Sequence, residues 1–137
     1  MMWIRGAFWL SAIYDVVIGL AFLVLGDSLV DRFEVPPPSH PGYYEFPALM
    51  LIIFGVLFAQ IAINPAKHRG LIIYGMGLKA SCSGLILYHH FVDGVSGFWI
   101  SFAFADVGFL VLFSAAFVAI GKRRTRRTET HGAGAWG

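Results

Sequence analysis

Four long apolar stretches constrain the fold of this chain more than any other feature. The hydrocarbon core of a bilayer is about 30 Å thick and needs roughly 17 to 25 apolar residues in a helix. The stretches that meet this length are approximately 7–26, 46–63, 71–90 and 98–120. The sequence therefore predicts an all-α integral membrane four-helix bundle over 1–121. A basic tail, 122–137, follows it, and we expect that tail to be disordered.

The composition supports the membrane class. Of the 137 residues, 58% are hydrophobic and 13% are charged, whereas soluble domains have about a quarter of their residues charged. The basic residues flank the apolar stretches, so the net charge of +2 indicates membrane topology and no nucleic-acid partner. The single cysteine, Cys82, excludes an intrachain disulfide.

Eight of the ten Lys and Arg residues fall on one side of the predicted bundle. These eight are Arg5, Lys67, Arg69, Lys122, Arg123, Arg124, Arg126 and Arg127. The opposite side holds Arg32 and the acids Asp27, Asp31, Glu34, Glu45 and Asp93. Because Lys and Arg concentrate on the cytoplasmic side of membrane proteins, we expect both termini in the cytoplasm. The first stretch reads as a span and not as a signal peptide, since it exceeds the usual run of about 7 to 15 residues and contains an acid.

One carboxylate, Asp15, lies in the middle of the first stretch, in "SAIYDVVIGL". The eleven Leu, Ile, Val and Phe residues of that stretch favour insertion by about −3 to −7 kcal/mol, which outweighs about +3 for the Asp. The third stretch has seven such residues, worth about −2 to −4 kcal/mol, against about +3 for Lys79. We therefore expect the third helix to be held by its neighbours, with Lys79 facing them.

The depths of the charged residues predict a pair. At about 1.5 Å per residue, Asp15 lies about 13 Å and Lys79 about 12 Å from the cytoplasmic ends of their stretches, whereas Asp106 lies about 21 Å in. Side chains lean toward the N-terminus of their helix, so Asp15 and Lys79 lean the same way and Asp106 leans outward. We therefore pair Asp15 with Lys79 and leave Asp106 apart. A buried carboxylate without a partner favours its neutral form, so we expect Asp106 to be a neutral hydrogen-bond donor or a proton-exchanging group.

Small residues accompany these charges. Asp15 belongs to a row with Ala7, Ser11 and Gly19 at i, i+4 spacing, and Lys79 to a row with Gly75 and Ser83. Small residues at this spacing allow close helix packing in lipid. A further small-residue row comprises Gly97, Ser101 and Ala105.

Five residues at the outer face are candidate metal ligands. They are His89, His90, His40, Glu45 and Asp93. Imidazole and carboxylate are ordinary ligands, but this set has no diagnostic spacing, and interfacial polar residues are the commoner explanation. No motif for a catalytic nucleophile, a base or a cofactor is present, so we expect neither an enzyme nor a cofactor.

The order of several short features resembles small bacterial four-helix membrane proteins of the DoxX-like kind. These features are "YD" in the first span, "NPAKHRGLIIYG" entering the third, Lys79, and "AD" in the fourth. The resemblance implies a four-helix fold and, for its location, the bacterial inner (plasma) membrane. It implies no catalytic residues.

Three functions are open at this point. The first is a non-enzymatic accessory or scaffold protein whose Asp15–Lys79 pair specifies assembly and whose small-residue row contacts another copy or a larger membrane complex. The second is a proton-coupled carrier of a small solute that acts as a dimer. The third is a metal or redox site at the outer face. A scaffold predicts dry packing around a satisfied ion pair, and a carrier predicts a cavity that reaches Asp15 or Asp106.

Overall fold

The computed structural model describes residues 1–33, 36 and 38–133, the last three as backbone only. Its four α-helices are α1 (Met2–Arg32), α2 (Gly42–Ile63), α3 (Ile72–Asp93) and α4 (Gly97–Ala133). One short 3₁₀ turn, Arg69–Leu71, precedes α3. Each of the four helices is long and apolar enough to cross a membrane, so the predicted all-α class and the four candidate spans are confirmed.

The helices extend beyond the apolar stretches. α1 passes the predicted end at residue 26 and continues to Arg32, but Leu25 has non-helical angles (φ −115°, ψ 16°) and marks a kink. α2 begins four residues earlier than predicted, at Gly42, which places Pro47 inside its second turn. Hydropathy marks the segment that fits hydrocarbon, and it carries no information on polar turns that continue the same helix.

The basic tail differs from its predicted disorder. α4 continues as helix through Ala133, which includes most of the segment 122–137. Arg, Lys and Glu have high helix propensity, and the preceding span supplies the helix nucleus that an isolated segment lacks. The last residues, 134–137, and Glu34 of the predicted acidic set lie outside the described residues.

Two helical hairpins make up the fold. α1 packs closely along α2, and α3 packs along α4, whereas the backbones of the two hairpins approach each other at few points. Glycine allows the close approach in the first hairpin: a Cβ on Gly19 would lie 2.6 Å from the carbonyl oxygen of Ala48. The predicted role of Gly19 in a packing row is therefore confirmed.

An aromatic core joins the two hairpins between the N-terminal part of α1 and the middle of α4. The ring of Phe8 stacks on Phe113 with centroids 4.4 Å apart, and Phe58 approaches Phe113 at 5.0 Å. All three side chains are fully buried. This core fills the interior toward the end of the structure that carries most of the basic residues. We call that end the basic end.

Two arginines connect helices at the basic end. Arg5 donates from Nε to the carbonyl oxygen of Ala62, 3.0 Å away, near the C-terminus of α2. Arg69 donates from Nε to the carbonyl oxygen of Phe117 at 3.0 Å and lies over the Phe117 ring. At the opposite, acidic end, the Tyr44 hydroxyl donates to Asp27 and joins α2 to α1.

Candidate functional site

Lys79 lies between two carboxylates in the middle of the structure. Its Nζ is 2.6 Å from Asp15 Oδ1 on α1 and 2.9 Å from Asp106 Oδ1 on α4. The three residues are 1%, 0% and 6% exposed, respectively. A charged triad drawn from three helices therefore occupies the apolar interior.

The predicted Asp15–Lys79 pair is present, and the prediction that Asp106 stands apart from it is wrong. That prediction assumes that all apolar stretches end at one common level. The stretches do not end at one level, because Phe8, at the start of the first stretch, stacks on Phe113, which lies seven residues before the end of the fourth. The long Lys79 side chain then reaches Asp106 as well as Asp15.

The packing rows explain how the triad is held. Ala7, Ser11, Asp15 and Gly19 are all buried on α1, as are Gly75, Lys79 and Ser83 on α3. The Ser83 hydroxyl donates to the carbonyl oxygen of Lys79 at 2.7 Å, within its own helix. The rows predicted from i, i+4 spacing therefore form the inward faces of their helices.

Aromatic rings surround the Lys79 ammonium. Its Nζ lies 5.1 Å from the ring centroid of Tyr14, 5.2 Å from Phe109 and 5.7 Å from Phe58. A cation within about 6 Å of a ring face is attracted by the ring quadrupole. The ammonium thus has aromatic rings as well as two carboxylates for neighbours, and it is well neutralised.

The carboxylates are less completely paired than the ammonium. Among the described residues, Asp15 Oδ2 is buried and receives no hydrogen bond. Asp106 Oδ1 is close to Lys79 Nζ, but the contact lacks the alignment of a hydrogen bond and is a charge contact only. The buried hydroxyl of Ser11, one turn from Asp15, is also without a partner in this part of the chain. Buried polar groups in proteins are nearly always hydrogen-bonded, so these atoms are exceptions that need an explanation.

A cavity of about 260 Å³ lies against the two carboxylates. Asp15 and Asp106 line it, whereas Lys79 does not. The other lining residues are Tyr14, Ile18, Phe22, Tyr43, Tyr44, Pro47, Ala48, Leu51, Cys82, Ile86, Trp99 and Phe102. The cavity is therefore apolar and aromatic, and its charged groups are two carboxylates at one end.

The cavity extends toward the acidic end. A second cavity, of about 190 Å³, shares Phe22, Tyr43, Tyr44 and Trp99 with the first and reaches the loop at Pro36 and Pro38. Phe22 on α1 stacks on Trp99 of α4 with centroids 6.0 Å apart, between the two cavities. The triad thus has open space on its acidic side and the closed aromatic core on its basic side.

The predicted outer-face ligands do not form one cluster. His89 Nδ1 is 2.7 Å from Asp93 Oδ2 one helical turn away, and His90 Nδ1 is 3.1 Å from the carbonyl oxygen of Val95. His40 accepts a hydrogen bond from the Gly42 amide. Within the described ranges, no group of three or more His, Cys, Asp or Glu residues is placed to hold a metal ion. Glu45 is exposed and remains outside the His89–Asp93 pair.

Comparison with known proteins gives no assignment. No protein-family model, no curated protein and no solved structure matches the chain. The DoxX-like resemblance therefore stays a prediction, and function has to be argued from the triad and its cavity.

Proposed function

We propose that this four-span protein is a proton-coupled carrier of a small, largely apolar solute. The observation that carries the proposal is the cavity of about 260 Å³ that reaches both Asp15 and Asp106. Cavities that hold drug-sized ligands have about 300 to 1,000 Å³, so the solute is smaller than a drug molecule. The aromatic lining favours a solute with an apolar body.

The charge balance of the triad supports proton coupling. Two ionised carboxylates and one ammonium leave a surplus of one negative charge in an apolar environment, which one proton removes. Ionisable groups inside membrane proteins commonly belong to ion or proton pathways. Asp106 is the preferred exchanging group because it lines the cavity and its contact with Lys79 is the longer of the two.

The arrangement of open and closed space also favours a carrier. The cavity approaches the triad from the acidic end, and the Phe8, Phe58 and Phe113 core closes the basic end. A carrier exposes its site to one side of the membrane at a time, and the two hairpins, whose backbones approach each other at few points, are units that can move relative to each other. The basic end would face the cytoplasm of a bacterial inner membrane, and the open cavity would face outward.

The accessory or scaffold role has a different observation behind it. Gly97 and Ser101 are exposed, and Ala105 is half-buried, so this small-residue row is available to a second copy or to a larger membrane complex. A scaffold alone does not account for the cavity or for the unpaired oxygen of Asp15. We therefore propose that these small residues bring two carrier chains together, because four helices enclose little space.

Solute-driven proton movement tests the carrier function. The protein is reconstituted into vesicles that contain a pH-sensitive dye, and three permanently charged or neutral phenyl compounds are applied as gradients: benzyl alcohol, benzyltrimethylammonium and benzenesulfonate. None of them titrates, so any proton movement above that of protein-free vesicles passes through the protein. We expect at least one compound to drive such movement and Asp106→Asn to abolish it. Glu45→Gln, which removes an exposed carboxylate outside the cavity, is the matched control. If no compound moves protons, the carrier function is rejected.

A further inference from the structure

We propose that the cavity selects a small organic cation with an apolar body. This inference rests on the proposed function and specifies its solute class. Two features carry it: the side of the triad that faces the cavity is anionic, and the walls of the cavity are aromatic.

The anionic side follows from where the three charges lie. Asp15 and Asp106 both line the cavity, and the described residues that line it include no Lys, Arg or His. The Lys79 ammonium lies behind the carboxylates, close to the rings of Tyr14, Phe58 and Phe109. The charged residues nearest to a solute in the cavity are therefore the two carboxylates. In a low-dielectric site a nearby unit charge has a strong effect, which favours cations and opposes anions.

The unpaired oxygen of Asp15 points to the same ligand. Asp15 is fully buried, and its Oδ2 receives no hydrogen bond within the described part of the chain. An ionised carboxylate oxygen in an apolar interior is costly unless a donor or a cation compensates it. Oδ1 is already 2.6 Å from Lys79 Nζ, so Oδ2 is the oxygen of this carboxylate that no donor satisfies, and its charge is felt at the cavity without direct contact.

The aromatic lining of the cavity suits the apolar body of an organic cation. Tyr14, Phe22, Trp99 and Phe102 line the cavity, and Phe22 and Trp99 stack on each other where it continues toward the acidic end. Aromatic faces attract organic ammonium groups and also pack against apolar carbon. A small alkyl or aryl ammonium ion satisfies the carboxylates and the rings together.

The cation and a proton compete for the one negative charge by which the two carboxylates exceed the Lys79 ammonium. When the cation binds, a proton leaves the Asp106 carboxyl for water, and the net charge of the filled site does not change. The titratable groups facing Asp106 are Lys79 and Cys82 on α3 and Tyr14 and Asp15 on α1, and Tyr43 and Tyr44 of α2 line the same cavity. Each solute molecule bound thus releases one proton.

Cys82 provides a direct test, because it is the only cysteine and it lines the cavity. The rate at which it reacts is measured for three methanethiosulfonates of similar size, which carry a cationic trimethylammonium, an anionic sulfonate or a neutral hydroxyl group. Each rate is divided by the rate for a small thiol in solution. We expect the normalised rate for the cationic reagent to be about ten times that for the anionic reagent, or more. In Asp106→Asn this cation-to-anion ratio should fall to near one, and in Glu45→Gln it should stay high.

The neutral reagent separates this inference from the proposed function. If the neutral reagent reacts and the cation-to-anion ratio of the wild type is near one, cation selection is wrong and the accessible cavity stands. If none of the three reagents reacts with folded protein, the accessible cavity itself is rejected, and the carrier function with it. To make the test independent of how Asp106→Asn folds, the labelling rate of Cys82 in the wild type is also measured with benzyltrimethylammonium or benzyl alcohol present. Protection of Cys82 by benzyltrimethylammonium alone supports cation selection, and equal protection by both compounds overturns it.

Discussion

Asp15 Oδ1 and Lys79 Nζ lie 2.6 Å apart, although 64 residues separate them in the sequence and they belong to helices of different hairpins. The contact joins α1 to α3 across the interior, where the backbones of the two hairpins approach at few points. It is therefore a principal link between two halves that are otherwise joined by side-chain packing. Asp106 makes a second contact with the same ammonium, so the two carboxylates share one cation.

Substitutions in the triad are expected to differ in severity. Lys79→Met leaves two buried carboxylates without their cation and should destabilise the protein by about 3 kcal/mol or more. Asp15→Asn should cost less, because Asp106 still neutralises Lys79. The double variant Asp15→Asn/Lys79→Met should recover part of the loss, since it leaves one carboxyl that can be protonated. Unfolding in detergent, followed by circular dichroism, measures the three free energies. Additive losses in the double variant would show that the two residues are not coupled.

Glycine substitutions on two helices should have opposite outcomes. A Cβ at Gly19 would lie 2.6 Å from the backbone oxygen of Ala48 and 2.8 Å from Ile52 Cγ1, so Gly19→Ala must push α1 from α2. We expect a loss of about 1 to 3 kcal/mol. Gly77→Ala on α3 meets no atom within 4 Å and should be neutral or slightly stabilising, because Ala favours helix. Equal losses in thermal denaturation of the two variants would contradict the close α1–α2 packing.

The spans and the inward rows could be predicted from the sequence because they depend on local properties. Hydropathy identifies what fits hydrocarbon, and i, i+4 spacing places Ser11, Asp15 and Gly19 on one face whatever the partner. The Asp15–Lys79 contact could be predicted because each residue lies eight positions after the start of its apolar stretch. The prediction is wrong for Asp106, because the fourth stretch extends past the level at which the first one starts, as the stacking of Phe8 on Phe113 shows.

The cavity could not be predicted because no single helix contains it. Its lining comes from all four helices, and residues such as Phe22 and Phe102 resemble any lipid-facing aromatic in the sequence. Whether such a ring faces lipid or an internal space depends on how the two hairpins sit against each other. That arrangement depends on tertiary packing, which hydropathy does not report.

The hydroxyl of Tyr44 should restrict entry to the cavity. Tyr44 donates to Asp27 and lines both cavities, so it holds the start of α2 against α1 beside Phe22 and Trp99, where the proposed solute would enter. Tyr44→Phe removes the hydrogen bond and keeps the ring. We expect the neutral methanethiosulfonate to label Cys82 several-fold faster while the melting temperature changes little. Tyr88→Phe, which alters an exposed tyrosine on α3, is the control. An unchanged labelling rate would mean that Tyr44 has no part in access.

Filling the cavity should separate stability from function. Cys82→Leu adds volume to a half-buried position that lines the cavity, where open space can accept it. A site maintained for a ligand is commonly not at its stability optimum, so the free energy of unfolding should rise or stay within about 1 kcal/mol. Solute-driven proton movement should fall strongly, because the added side chain occupies the space beside Asp106. Ser81→Leu places the same side chain on the preceding residue, which is exposed and outside the cavity, and it should leave proton movement unchanged. If Cys82→Leu moves protons as well as Ser81→Leu, solute does not pass through this cavity and the carrier would need another route.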